Sequence, residues 1–156
     1  MTKIKMLCFD MDGTIADLYG FENWLPLLRS ENVKPYREAA PLWDMEELAE
    51  VLQTLRANGI IVQVITWLSM NSSKSYKEAT RQAKIEWLKE QNFPFDYFHG
   101  VQYGATKADS IRRYLNKDTE TAILFDDSEK VRKGWTLGEA IDPTSVDLIE
   151  YLKSLL

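Results

Sequence analysis

Lys5-Met6-Leu7-Cys8-Phe9-Asp10-Met11-Asp12-Gly13-Thr14 is an apolar, β-prone run that ends abruptly in two carboxylates spaced i, i+2, then glycine and threonine. In an extended segment, residues two apart share a face. Asp10 and Asp12 should therefore project together from the carboxyl end of a buried strand. In open α/β sheets, that end is where ligands bind. Two acids held so close repel unless a cation lies between them, so the pair predicts a metal or a raised pKa.

Working outward, apolar runs alternate with amphipathic helical patterns, the signature of a mostly parallel sheet covered by helices. The strand candidates are Ile4–Phe9, Ile60–Thr66, Phe98–Gln102, Ala122–Phe125 and Glu139–Ile141. Between Asp44 and Ala57, the residues Leu48, Val51, Leu52 and Leu55 recur at helical spacing. Asp44 with Glu47 resembles a capping box, and Asn58-Gly59 is a stop signal. A second helix, Tyr76 to Gln91, should carry Tyr76, Ala79, Ala83 and Trp87 on one stripe. Thr106 to Leu115, Ser128 to Trp135 and Ser145 to Leu155 read as further helices. The expected architecture is α/β, a Rossmann-like three-layer sandwich with a mostly parallel central sheet, spanning 1–156 as one domain.

One segment interrupts the alternation. Residues 18–42 form a short insertion, read as an apolar helical turn and a half over Phe21–Leu28 and then a loop containing Pro35 and Pro41. It is aromatic and basic, with Tyr19, Phe21, Trp24, Arg29, Lys34, Tyr36 and Arg37. Because it follows the acid pair directly, it should sit over that end of the sheet as a minimal cap.

Composition narrows the function classes. With 156 residues, the chain can bury a substantial core. Its single cysteine, Cys8, rules out an internal disulfide and a multi-cysteine zinc site. A single histidine, His99, disfavours a Ser-His-Asp triad. The net charge is −5 and the basic residues are scattered, so binding along a long nucleic-acid duplex is disfavoured. No apolar run reaches membrane-spanning length, and Met1–Ile4 run straight into a strand without a signal-peptide pattern. Together with the unpaired cysteine, these features fit a cytoplasmic protein.

The remaining chemistry falls at strand ends and helix starts. The strand beginning at Ile60 ends at Thr66, a hydroxyl donor, and the strand beginning at Ala122 ends in Asp126-Asp127. Lys107 opens a helix after Gly104-Ala105-Thr106. Parallel strands share a direction, so these groups should meet at one edge. Asp10, Asp12, Asp126 and Asp127 are hard oxygen ligands, suited to Mg²⁺ rather than zinc. With Mg²⁺ and Lys107 present, an acidic pocket becomes one that can hold a phosphate.

These four motifs, in this order and across essentially the whole chain, resemble those of the haloacid dehalogenase-like (HAD) phosphatase superfamily. The resemblance implies that Asp10 is the nucleophile and Asp12 the general acid and base. It implies Mg²⁺ held by the Asp10 side chain, the Asp12 backbone carbonyl and Asp126, with Asp127 at or near the metal, and phosphate held by Thr66 and Lys107. The stretches Ala83–Leu88, Gln102–Asp109 and Leu124–Asp127 are also similar to the 3′-phosphatase domain of polynucleotide kinase and to the 5′(3′)-deoxyribonucleotidases. That similarity implies a small phosphorylated substrate, a nucleotide or a nucleic-acid end. Trp67 stands where the family usually has a small residue, and with Trp24 it is a candidate substrate contact. Some small-cap relatives associate so that a neighbour supplies the cover, so an oligomer is compatible.

Plainer readings stand beside these. The acids could be helix caps or solvated turns, and Thr66 could simply finish its strand. Lys84 and Lys117 rival Lys107. The aromatics of 18–42 could serve only to bury the insertion. Trp87 reads as core, Cys8 as a small buried strand residue and His99 as structural. The competing function is a catalytically retired module that binds metal and a phosphorylated ligand, or a protein partner.

Overall fold

The computed structural model describes residues 1–69 and 71–156. Its principal sheet contains β1 (Lys3–Phe9), β4 (Ile61–Trp67), β5 (Tyr97–Val101), β6 (Glu120–Phe125) and β7 (Ala140–Ile141), ordered β5-β4-β1-β6-β7. Every neighbouring pair in it is parallel. The fold is thus α/β with a Rossmann-like sheet, and the five strands lie where the apolar runs place them.

Helices cover both faces. From β1 the chain steps outward to β4 and β5, and from β6 it steps the other way to β7. The connection from β5 back to β6 also runs that other way, so right-handed crossovers put the first two connections on one face and the last two on the other. On the first face, α3 (Met45–Ala57), α4 (Lys74–Glu90) and α6 (Leu148–Lys153) pack over Leu7, Phe9, Val62, Val64, Ile123 and Phe125. Phe9 stacks on Phe125 at 4.7 Å and meets Phe93 edge-on at 5.4 Å. On the opposite face Met6, Cys8, Ile65, Ala122 and Leu124 pack against Ala108, Ile111 and Trp135, beside α5 (Glu129–Lys133). The alternation of Leu7 and Phe9 with Met6 and Cys8 is the period-two pattern of a strand buried on both faces.

The helix signals largely hold. Asp44 caps α3 by accepting from the Glu47 amide. Gly59, at φ +94°, supplies the left-handed turn beyond its end. Ser73, Ser128 and Asp147 cap α4, α5 and α6 in the same way. Among the described residues, no helix is long and apolar enough to cross a membrane.

Three expectations need correction. Residues 106–115 do not form one helix but two 3₁₀ turns, Lys107–Ser110 and Arg112–Tyr114, because Ile111 leaves helical geometry at φ −126°. The loop expected after Phe21–Leu28 contains a second short helix, α2 (Lys34–Glu38), with Pro35 in its first turn, where a missing N–H costs nothing. On α4, Ala79 faces solvent, and the buried stripe is Tyr76, Thr80, Ala83, Lys84, Trp87 and Leu88.

The insertion is tied down at its base and top. A two-stranded antiparallel pair, β2 (Ala16–Asp17) with β3 (Ala40–Pro41), closes its ends. Helices α1 (Trp24–Arg29) and α2 lie between them. The Tyr76 hydroxyl of α4 donates to the Asn32 carbonyl at 3.0 Å, and the Trp87 indole donates to the Ala39 carbonyl at 2.8 Å.

Candidate active site

Parallel pairing in register brings the chemistry to one edge. Phe9 aligns with Val64 and with Phe125, so Asp10, Thr66 and Asp126 leave adjacent strands at nearly one level. The Asp10 amide continues the ladder, donating to the Phe125 carbonyl at 2.9 Å. After it the chain turns back sharply, with the amides of Thr14, Ile15 and Ala16 all donating to the Met11 carbonyl. Gly13 makes that turn at φ +79°, and a Cβ there would lie 2.3 Å from the Asp127 carboxylate. Glycine thus permits both the backbone conformation and the approach of Asp127.

The structure brings together all six expected polar groups and adds a seventh. Lys107, in the first 3₁₀ turn, donates to Asp10 Oδ1 and to Asp126 Oδ2, both at 2.8 Å. The second buried lysine is Lys84. Its ammonium donates to Asp12 Oδ2 at 3.0 Å, Thr66 Oγ1 at 2.7 Å and the Trp67 carbonyl at 3.1 Å. Lys117 is exposed and takes no part. The rivalry between Lys84 and Lys107 resolves into two different positions, one beside each acid of the opening pair.

The four acids differ in environment. The Asp126 carboxylate is fixed, accepting from the Ser128 amide at 2.9 Å as well as from Lys107. Burial raises the pKa of Asp126, the Asp10 charge adds to the rise and Lys107 opposes it. Burial pushes Asp127 up to about 7, with Asp10 and Asp126 pushing the same way. Burial likewise raises Asp12, where Lys84 opposes and Asp10 reinforces. For Lys107, burial alone would lower the pKa, but the charges of Asp10 and Asp126 outweigh it and the net shift is upward. That ammonium stays charged.

One oxygen from each of Asp10, Asp126 and Asp127 lies within 4.8 Å of the others. The set is oxygen-only and anionic, and it contains a carboxyl, Asp127, whose pKa is pushed up to about 7 by burial and by the charges beside it. A hard divalent cation such as Mg²⁺ fits these donors.

The surrounding cavity is about 690 Å³. Its floor is polar, with Asp10, Asp12, Thr66, Lys107, Asp126 and Asp127. Its wall is aromatic and apolar, with Tyr19, Trp24, Leu28 and Tyr36 from the insertion and Trp67 and Tyr103 opposite. Trp24 and Trp67 thus both line it. Tyr19 meets Trp24 edge-on at 5.0 Å, and Trp67 is held by its indole N–H to the Ala105 carbonyl at 2.9 Å. Arg29 also reaches the wall, whereas Arg37 is exposed and lies 4.0 Å from Glu86. His99 bonds Gln63 at 2.7 Å and Cys8 is wholly buried, both outside the site.

Residue-level reading missed the role of Lys84 and the place of Tyr103 in the wall. A signal for Lys84 was present: it lies four residues after Thr80 and three before Trp87, on the face α4 buries. A lysine in the middle of a buried stripe needs a partner.

No family model matches the sequence, and no curated protein matches it. Solved structures resemble it in part, two of them as follows. One is D,D-heptose 1,7-bisphosphate phosphatase from Burkholderia thailandensis, at 18% identity over 86% of this chain and 74% of that one, with a TM-score of 0.49. The other is a HAD-like phosphatase candidate from Mesorhizobium loti, at 16% identity over 99% of this chain and 88% of that one, also with a TM-score of 0.49.

Proposed function

We propose that the chain is a Mg²⁺-dependent phosphomonoester hydrolase that works through an aspartyl-phosphate on Asp10. The observation that carries this reading is that one oxygen from each of Asp10, Asp126 and Asp127 lies within 4.8 Å of the others, with the Lys107 ammonium on Asp10 and Asp126. Asp10, Asp126 and Asp127 would hold Mg²⁺ by their side chains, and Asp12 by its backbone carbonyl. Bound Mg²⁺ supplies positive charge that offsets the phosphate dianion and the acids together.

The chain's own residues then divide the work. An Asp10 carboxylate oxygen bonds to phosphorus as the bond to the leaving oxygen breaks. Asp12, whose pKa is raised, gives its proton to that leaving oxygen. Water next attacks the phosphorus, Asp12 takes back a proton, and the Asp10–phosphorus bond breaks to release inorganic phosphate. Phosphate monoesters hydrolyse extremely slowly unaided, and the covalent route divides that barrier in two.

Positioning falls to Lys107 and Thr66. An ammonium has three donors, and Asp10 and Asp126 take two of those on Lys107, leaving one for a phosphate oxygen. Thr66 Oγ1 already accepts from Lys84, so its own O–H is available to donate to phosphate.

The substrate we favour is a nucleotide or a phosphorylated nucleic-acid end. A planar base could lie among Trp24, Trp67 and Tyr103, each of which offers a π-face. Residues 18–42 act as the short cap in this reading, and the protein works in the cytoplasm. The deciding experiment is Mg²⁺-dependent hydrolysis of p-nitrophenyl phosphate, with Asp10→Asn alongside. Turnover that needs a divalent cation and disappears in Asp10→Asn is the expected result. No turnover on a broad panel of phosphate esters would overturn the proposal and leave the retired, ligand-binding module in its place.

A further inference from the structure

Lys84 stands out among the buried polar groups because its ammonium is fully used. It is wholly buried, and its three N–H donors meet three acceptors: Asp12 Oδ2, Thr66 Oγ1 and the Trp67 carbonyl. An ammonium has no fourth donor and no acceptor. Lys84 therefore has nothing left to offer a phosphate, unlike Lys107. The ring of Tyr36 lies 4.9 Å from the same nitrogen, centroid to Nζ, and adds a cation–π contact from the insertion.

From this we infer that Lys84 is a positioning residue for proton transfer, fixing the Asp12 carboxylate and the Thr66 hydroxyl in working orientation. The inference deepens the phosphatase reading and rests on it. Asp12 uses one oxygen on Lys84 while its side chain remains 16% exposed in the cavity. Holding one oxygen from behind leaves the other to meet the leaving group. Thr66 is constrained in the same way: with its oxygen accepting from Lys84, its hydroxyl acts as a donor toward the substrate. The Trp67 carbonyl ties both to the end of β4. Because Tyr36 belongs to the insertion and Lys84 to α4, a single ammonium joins cap, helix, strand end and proton donor.

A positioning role for Asp12 makes a prediction that a merely structural role does not. An alkyl phosphate needs its leaving alkoxide protonated, while p-nitrophenolate leaves well without a proton. General acid catalysis is worth roughly 10²–10⁴-fold. Lys84→Met should therefore lower kcat/KM for an alkyl phosphate by about 10²-fold and for p-nitrophenyl phosphate by less than about 10-fold. The comparison uses kcat/KM because it reports the step in which the leaving group departs. Equal losses on both substrates would overturn the positioning role while leaving the phosphatase reading intact. If the wild type turns over neither ester, it is the phosphatase reading that fails.

A second measurement does not depend on how Lys84→Met folds. In ¹⁵N-labelled wild-type protein, the Lys84 ammonium protons should exchange with water far more slowly than those of surface lysines. Their resonance should shift in Asp12→Asn. Exchange at surface rates, or a resonance indifferent to Asp12, would overturn the inference.

Discussion

Asp127 offers the sharpest quantitative handle on the acid cluster. In the metal-free protein its pKa rises from 3.8 to about 7 through burial and the charges of Asp10 and Asp126. The folded state thus binds a proton more tightly than the unfolded chain between about pH 4 and pH 7. Stability changes with pH in proportion to protons bound unfolded minus folded, so this group makes stability fall as pH rises through that window. Complete coupling of such a shift sets a ceiling of roughly 4 kcal/mol, and solvent at the mouth of the cavity screens it to about 1–2 kcal/mol. For a chain of this size, that is roughly 2–8 °C in Tm. Asp126 and Asp12, also raised, act with the same sign. Asp96 and Asp142 have lowered pKa values, so the stability they contribute is lost only as pH falls below the ordinary carboxylate range. Thermal melts in chelator at pH 5 and pH 8 should show the wild type less stable at the higher pH. Asp127→Asn should flatten that difference and raise Tm at pH 8, and Mg²⁺ should stabilise the wild type more than the variant. An Asp127→Asn protein with the wild-type pH slope and the wild-type Mg²⁺ response would refute the reasoning.

Two further outcomes follow from the geometry. Gly13→Ala places a Cβ 2.3 Å from the Asp127 carboxylate at a backbone φ of +79°, so it should lower Tm by several degrees and weaken Mg²⁺ binding, read by calorimetric titration. Trp24→Ala should raise KM for nucleoside monophosphates about 5- to 150-fold, since stacking on one base is worth roughly 1–3 kcal/mol, while KM for a methyl phosphate stays near the wild-type value.

The fold was legible where hydrophobic pattern alone decides it. β1 and β4 are buried on both faces over most of their length and read as largely apolar runs, and both lie within one residue of their expected bounds. α3 was legible because its apolar positions and its Asp44 cap agree. The insertion was less so, because Pro35 and Pro41 suggest a loop while Pro35 actually opens α2. Residues 106–115 misled for another reason: Ile111 is drawn into the core beneath the sheet at the cost of helical geometry. Tertiary packing overrode local propensity there.

The candidate site divides along the same line. Asp10, Thr66 and Asp126 were placed by a general rule, since parallel strands deliver their ends to one edge. Lys84 obeys no such rule, because its partner Asp12 lies 72 positions away in the sequence. Reading α4 for apolar residues put Ala79 on the buried stripe, one position from Thr80. A stripe that instead admits Thr80 and Lys84 shows a helix buried partly for its chemistry.

In the proposed mechanism, phosphate passes through a bond to Asp10. Rapid acid quench during turnover of a ³²P-labelled ester, followed by peptide mapping, tests it most directly. A hydroxylamine-labile label is expected on the peptide that contains Asp10, and it is absent from Asp10→Asn. Turnover with the label on another residue, or undiminished turnover in Asp10→Asn, would contradict it.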